Sequence, residues 1–176
     1  DHIDDFPSVS GIEENVGGVK SAIGSLGEAA GQKRRAGRLL FAANAIGYVN
    51  SLRDAFARCQ SISGDADTLY INLFAGLCGG TGSGTFLDVC YIVKKALQEI
   101  GEYGRTRVCG YFFLPDVNLS IPAVMASDMI SSYIKTNGFS AMKELDHCMN
   151  FESNGDAWDQ QYDGFRVGPM KDSPVD

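Results

Sequence analysis

Apolar residues in the first half of the chain follow two different spacings. From Gly37 onward they recur every three or four positions, which predicts a helix with one buried face. The residues on this predicted face are Leu39, Ala43, Ile46, Val49, Leu52, Phe56 and Cys59. The run Thr68–Gly76, "TLYINLFAG", is short, almost continuously apolar and rich in β-favouring residues. Such a run predicts a strand that is covered on both faces.

The same two spacings then return in the same order. A second amphipathic helix is predicted to end at Gly101, because glycine readily adopts the left-handed conformation of a helix cap. The run Arg107–Pro115 predicts a second buried strand, which Pro115 ends because it lacks an N–H group. Strand, helix and strand in this order predict a βαβ unit of a mostly parallel sheet. Two strands make a small sheet, so we expect the chain to be part of a larger α/β domain. The apolar positions of this second helix are Phe86, Val89, Cys90, Val93, Leu97 and Ile100.

A third helical pattern follows the second strand. Ser120 and Pro122 predict its cap and first turn, and Gly138 predicts a break in it. Its apolar residues, and its methionines in particular, are expected to be core. Residues 150–176 are polar and acidic and are predicted to form a surface insertion or loop. The apolar positions of the helix are Met125, Met129, Tyr133, Met142, Leu145 and Met149.

Composition narrows the class of protein. With 176 residues, 44% of them hydrophobic, the chain can form one compact domain. Its apolar runs are too short to span a bilayer, and we expect no signal peptide and no membrane partner. The net charge of −7 argues against nucleic acid as a partner. The five cysteines are widely spaced, which predicts reduced thiols in a cytoplasmic protein and no metal site.

The stretch Gly79–Gly84, "GGTGSG", lies between the first predicted strand and the second predicted helix. A glycine-rich turn at this place lets backbone N–H groups converge on an anion, and the helix N-terminus adds about half a positive charge. Side chains would hold a phosphate away from the backbone, and such turns use positive φ angles. Thr81 and Ser83 add hydroxyl donors. The pattern predicts a phosphate-binding loop at the carboxyl end of a strand, and a tight turn without a ligand is the simpler alternative.

Two common phosphate-binding motifs do not fit this stretch. A P-loop requires lysine where the chain has Thr85, and the dinucleotide fingerprint fails because the glycines alternate. A dinucleotide-dependent oxidoreductase would also need an acidic residue about 20 positions after the glycines. Glu99 and Glu102 are near that distance but precede the second predicted strand. The oxidoreductase hypothesis is therefore the third of three, after a nucleotide-binding protein and a scaffold.

The segment "GLCGGTGSG" closely resembles the GGGTGSG signature of tubulin and FtsZ, with Cys78 in place of the first glycine. The resemblance implies a Rossmann-like, mostly parallel three-layer sheet, incomplete in this chain. It further implies that the glycine loop, residues Gly79, Gly80, Thr81, Gly82, Ser83 and Gly84, wraps the α- and β-phosphates of GTP. ATP is the second choice, and magnesium would arrive with the nucleotide.

Further segments resemble this superfamily in the same order. "LGEAAGQKRRAGR" is similar to its third phosphate loop, which implies that Gly31 and Gln32 lie near the γ-phosphate and that Gly37 and Arg38 open the helix. We add Arg34 as a cation for this phosphate. "KTNGFSAMKEL" is similar to the helix whose opening asparagine contacts the nucleotide base, which implies this role for Asn137. The ribose-contacting residues of FtsZ have no clear match, and Asp116 or Asn118 is the substitute that we predict.

The resemblance covers about residues 24–149 and is nearest to the bacterial tubulin-like proteins. It implies a GTP-binding protein whose complete form self-assembles head to tail into filaments. A neighbouring subunit would supply the base for GTP hydrolysis, so the catalytic residues stay unknown and this chain alone is expected to be inactive. The alternative is a tubulin-like scaffold with weak or no nucleotide binding, which the unmatched ribose loop and the 150–176 segment suggest.

Overall fold

A computed structural model describes residues 33–63 and 68–176 of the chain. A long helix comes first, the predicted strand–helix–strand region and further helices follow, and a hairpin comes last. The elements are α1 (Arg34–Ser63), β1 (Leu69–Gly76), α2 (Thr81–Glu99), a 3₁₀ turn (Tyr103–Arg105), β2 (Thr106–Phe113), α3 (Pro115–Leu119), α4 (Pro122–Met125), α5 (Asp128–Met149), α6 (Phe151–Asn154), β3 (Trp158–Tyr162) and β4 (Phe165–Met170).

The predicted mixed α/β unit is confirmed. Strands β1 and β2 pair in parallel, with Leu69 opposite Thr106 and Gly76 opposite Phe113. Helix α2 connects them and ends at the predicted place, where Gly101 has a φ of +75° and its N–H donates to the carbonyl of Gln98. In the part of the chain that the structure describes, the parallel sheet has two strands, so the three-layer sheet that the resemblance implies is not formed within it.

The two-stranded sheet has one buried face and one exposed face. Val108 packs on helix α2 against Val93 and Leu97. The other face carries aromatic side chains; Phe74 is 66% exposed and stacks on Tyr111 with 4.8 Å between ring centroids. The prediction that β1 is covered on both faces is therefore wrong for the described residues. The apolar pattern is that of a two-sided strand, but the described elements cover only one side.

Helix α1 is predicted correctly as a helix, although its start and its buried face differ from the prediction. It begins at Arg34, so Gly37 and Arg38 lie inside its first two turns and do not open it. Leu39, Val49 and Phe56 are buried as predicted, but Ala42 and Ala45 are buried in place of Ala43 and Ile46, which are exposed. The reason is its neighbour: α1 packs closely on α2, and small side chains permit that approach where isoleucine would not.

Helix α5 also departs from the prediction. Ser120 follows the short helix α3, and the cap of the long helix is Ser127, whose hydroxyl accepts a hydrogen bond from the N–H of Ile130 at 3.3 Å. The helix continues through Gly138, because the glycine makes room for a neighbour: a Cβ there would lie 2.2 Å from Cγ of Pro115. The methionines predicted as core are instead exposed, namely Met125, Met129, Met142 and Met149.

The acidic segment 150–176 forms helix α6 and the antiparallel hairpin β3–β4. Three of the hairpin's side chains, Tyr162, Val167 and Met170, are buried in the main core beside residues of α1 and α2. The residues after the hairpin lie along strand β2, where Val108 donates its N–H to the carboxylate of Asp176 at 2.7 Å. The segment predicted as a surface insertion therefore contributes to the core.

Within the described ranges, no helix combines the length and the apolar content needed to cross a bilayer. The same ranges hold no group of three or more His, Cys, Asp or Glu side chains arranged for a metal ion.

The thiols should differ sharply in reactivity. Cys59 is exposed, whereas Cys90 and Cys148 are buried, and burial raises the pKa of each of these two thiols to about 12. The buried thiols thus stay protonated at neutral pH, and we expect an alkylating reagent at about pH 8 to modify Cys59 about 100-fold faster than either. Peptide mass spectrometry over time measures this. As a control, the three thiols should react at equal rates in denaturant. Equal rates in the folded protein as well would contradict the burial of Cys90 and Cys148.

Candidate functional site

The glycine stretch is divided between a bend and a helix. Leu77–Gly80 form the bend, and α2 begins at Thr81, so the second half of the stretch is the first turn of the helix. Gly80 is the N-cap, with φ −73° and ψ −42°. The positive φ angles among the described glycines lie elsewhere in the chain, at Gly101, Gly155, Gly164 and Gly168. The expectation that this stretch uses positive φ angles is therefore wrong.

Close backbone contacts explain two glycines of the stretch. A Cβ on Gly82 would lie 2.7 Å from the carbonyl oxygen of Gly76, and one on Gly84 would lie 2.2 Å from that of Arg34. A third contact comes from α1, where a Cβ on Gly37 would lie 2.1 Å from the carbonyl oxygen of Gly80. These glycines let the start of α1, the end of β1 and the start of α2 meet backbone to backbone.

Gly79 has no such packing reason. A Cβ built on it would meet no atom of residues 33–63 or 68–176 within 4 Å, and its φ is not in the left-handed region. Thr81, two residues on, is exposed. Among the residues that the structure describes, no side chain caps the N-terminus of α2 at Gly80, and the first N–H groups of a helix have no partner within the helix. This open corner can accept an anion.

Three of the predicted site residues come together behind this corner. Ser83 is fully buried, and its hydroxyl accepts a hydrogen bond from Nε of Arg34 at 2.7 Å. Asn137, on α5, donates from Nδ2 to the carbonyl of Cys78 at 2.9 Å. Ser83 also donates to the Asn137 carbonyl at 3.5 Å. The side chains of Ser83 and Asn137 are thus used inside the protein, where they hold the stretch in place.

Arg34 also contacts a residue that the sequence reasoning missed. Its NH1 donates to Oε1 of Glu144 on α5 at 2.7 Å, and its NH2 pairs with Oε2. The Arg34 side chain is 16% exposed and that of Glu144 is 50% exposed. The guanidinium therefore links the first turn of α2 to α5. Glu144 lies seven residues after Asn137, so helical periodicity alone places both on one face of α5.

Asp116 lies in the first turn of α3, just after the carboxyl end of β2, and is exposed. Burial raises the pKa of Cys78, and the negative charge of Asp116 raises it further. Asp116 lies beside the same edge of the sheet as the glycine stretch, because both follow the carboxyl ends of the paired parallel strands. Asn118 lies in the same short helix, and Gly31 and Gln32 lie outside the described residues.

A second polar cluster, the Arg38 cluster, consists of Arg38, Asp88, Gln160 and Tyr162 and was not predicted from the sequence. Asp88, on α2, is 1% exposed and receives Nε of Arg38 at 3.0 Å. Arg38 NH2 also donates to Oε1 of Gln160 at 2.8 Å, and the Tyr162 hydroxyl donates to Asp88. The signal that could have revealed it is one aspartate inside the apolar segment "FLDVCYIV".

Charge and burial act against each other in this cluster. Burial raises the pKa of Asp88, whereas the positive charge of Arg38 and the hydrogen bond from Tyr162 lower it. Burial and the negative charge of Asp88 both raise the pKa of Tyr162. The tyrosine therefore keeps its proton and acts as the donor. Because both Arg38 and Tyr162 reach the same carboxylate, the cluster joins α1, α2 and the hairpin.

The dinucleotide interpretation is contradicted by where its acidic residues lie. Glu99 ends α2 and pairs with Arg53 at 2.7 Å, and Glu102 accepts a hydrogen bond from Gln60 at 2.9 Å. Both precede Thr106, the first residue of β2, at the amino end of the parallel sheet. The glycine stretch follows the carboxyl end, so neither carboxylate can reach a ribose held there.

Comparison with known proteins gives one match. A family model described as "Tubulin like" matches residues 18–176. The matched range includes the glycine stretch, the Arg38 cluster and the hairpin. No curated protein and no solved structure matches the chain.

The tight glycine contacts should show in stability. In Gly84→Ala the new methyl group would meet the Arg34 carbonyl at 2.2 Å, where only backbone can move, so we expect a loss of about 2 kcal/mol in the free energy of unfolding. Urea denaturation measures it. The control is Gly47→Ala on α1, where the methyl group meets no atom within 4 Å and helix propensity favours alanine by about 1 kcal/mol. A Gly84→Ala protein as stable as wild type would refute the contact.

Proposed function

Because the chain belongs to the tubulin-like family, we propose that it binds GTP at the open corner formed by Gly79 and the start of α2. We propose further that the complete protein assembles head to tail into filaments. One observation carries the binding proposal: no described neighbour requires glycine at position 79, and within the same residues the adjoining helix N-terminus has no side-chain cap. A ligand that approaches the backbone closely explains why glycine is present there.

The corner supplies the chemistry that phosphate groups need. The first N–H groups of α2 have no partner within the helix, and the helix dipole adds partial positive charge there. The exposed hydroxyl of Thr81 can donate to a phosphate oxygen. The preference for GTP over ATP comes from the family resemblance, and magnesium would accompany the nucleotide through its phosphates.

The remaining site residues take different roles in this proposal. The bend and the first turn of α2 are held in position by hydrogen bonds of Arg34, Ser83 and Asn137. The charge of Arg34 adds to the positive potential there. Asp116, at the same edge of the sheet, is placed for the ribose hydroxyls. Gly31 and Gln32 precede α1 in sequence and would approach the γ-phosphate.

Hydrolysis belongs to the assembled form in this proposal. The phosphate loop positions the nucleotide and stabilises charge, and a neighbouring subunit supplies the base for the attacking water. No catalytic residue is assigned to this chain. A head-to-tail contact buries different surfaces on the two subunits, so it does not close on itself and generates a filament.

A second candidate, a tubulin-like scaffold that does not need nucleotide, also has specific support. Gly37, Gly82 and Gly84 have packing reasons that involve no ligand, and the charge of Arg34 is already paired with Glu144. A scaffold would assemble after complete removal of nucleotide, whereas the leading proposal requires that assembly depends on nucleotide.

The substitution Gly79→Ala separates ligand binding from folding. The fold has room for the methyl group, but a bound phosphate would be held off the backbone, so we expect GTP affinity to fall at least tenfold, about 1.4 kcal/mol, with an unchanged melting temperature. Calorimetric titration with GTP and magnesium measures this. Gly82→Val is unsuitable for this test, because its side chain would meet the Gly76 carbonyl and disturb the fold.

The matched control is Gly104→Ala, which also meets no atom within 4 Å but precedes the amino end of β2. Its affinity for GTP should equal that of the wild type. If Gly79→Ala binds as tightly as wild type, the phosphates do not sit at this corner. If the wild-type protein binds neither GTP nor ATP, the scaffold candidate replaces the leading one.

A further inference from the structure

The Arg38 cluster lies one helical turn from the glycine contacts. Gly37 meets the Gly80 carbonyl and Gly84 meets the Arg34 carbonyl, which is where α1 and α2 cross. Arg38 follows Gly37 directly, and Asp88 lies four residues after Gly84, on the same side of α2. The ion pair between Arg38 and Asp88 therefore joins the two helices immediately beside their crossing.

The geometry of this pair is tightly defined. The guanidinium places Nε and NH2 on the Asp88 carboxylate at 3.0 and 3.2 Å, and a planar fork of this kind fixes direction as well as distance. A buried ion pair adds little net stability by comparison with apolar packing, because both charges lose water. Its effect on the relative position of two helices is the stronger reason to have it.

Hairpin β3–β4 completes the cluster from the other side. Alternate residues of β3 point inward: the Trp158 ring lies 5.5 Å from the Arg38 guanidinium, Gln160 accepts from NH2 at 2.8 Å, and Tyr162 donates to Asp88. Gln160 and Tyr162 are 6% and 3% exposed. A register shift between Trp158 and Gln160 marks an irregularity in the strand, of the kind that redirects side chains.

We propose that Arg38 is a positioning residue for the glycine stretch, and that hairpin β3–β4 tunes nucleotide binding through it. The inference rests on the proposed function for its ligand. The hairpin orients Arg38, Arg38 sets the position of α1 against α2, and α1 contacts the bend through Gly37. The orientation of the N–H groups at Gly79–Thr81 thus depends on side chains about 80 residues later in the chain.

The test removes the two hydrogen bonds from the hairpin to Arg38 and Asp88 and keeps the ion pair between these two residues. In the double variant Gln160→Leu/Tyr162→Phe, apolar side chains of similar size replace the two hairpin side chains that make these bonds. We expect amide hydrogen exchange of residues 77–84 to rise about tenfold in the nucleotide-free protein, with residues 106–113 unchanged. GTP affinity should fall by a similar factor. The control is Asp159→Asn, which breaks the exposed ion pair with Arg166 on the same hairpin and should alter neither quantity.

Each outcome decides the inference. Unchanged exchange of residues 77–84 would overturn it, even with a lower melting temperature, because the cluster would then only stabilise the fold. Raised exchange together with tight GTP binding would also overturn the link to nucleotide. If exchange rises but the wild-type protein binds no GTP, the positioning role stands and the proposed function fails. If the double variant does not fold, Tyr162→Phe alone is judged by the same criteria.

Discussion

The contact between the backbones of α1 and α2 is the constraint on which the rest of this structure depends. It can form only because Gly37 and Gly84 carry no side chain where the helices cross. That close approach favours small buried side chains on α1, namely Ala36, Ala42 and Ala45, and brings Arg38 within reach of Asp88. The hairpin fills the remaining side of the core. The bend at Leu77–Gly80 is held where it is because α1 lies directly against it.

The six residues of the glycine stretch serve two purposes that a motif alone cannot separate. Gly82 and Gly84 are glycines because neighbouring backbone occupies the space of a side chain, whereas Gly79 has no such neighbour in the described part of the chain. Phosphate binding and helix packing both favour glycine, and for the same steric reason. A chain could therefore lose its ligand and still keep most of the signature, which is why the family of the chain and its ability to bind nucleotide are separate questions.

The features that local spacing determines could be predicted from the sequence. Strand β1, helix α2 and strand β2 follow from their periodicity, and the end of α2 follows from Gly101. The predictions that failed concern features that depend on contacts between residues distant in sequence. The buried face of α1 differs from the predicted one at Ile46, because the close contact with α2 favours small side chains there. The helix break predicted at Gly138 was wrong, because this glycine makes room for Pro115. Ser83 was predicted as a hydroxyl donor of the glycine stretch, Asn137 by family resemblance, and Arg34 as a cation for the γ-phosphate. Their hydrogen bonds and those of the Arg38 cluster were not predicted, because they join residues 49 or more positions apart.

The position of Trp158 has a practical consequence. It is the single tryptophan of the chain, stacked on Tyr91 at 4.6 Å between ring centroids and beneath the Arg38 guanidinium. Its fluorescence therefore originates at the junction of the hairpin, α1 and α2. Any event that loosens this junction changes the surroundings of one chromophore, so the protein carries an intrinsic optical probe that needs no label.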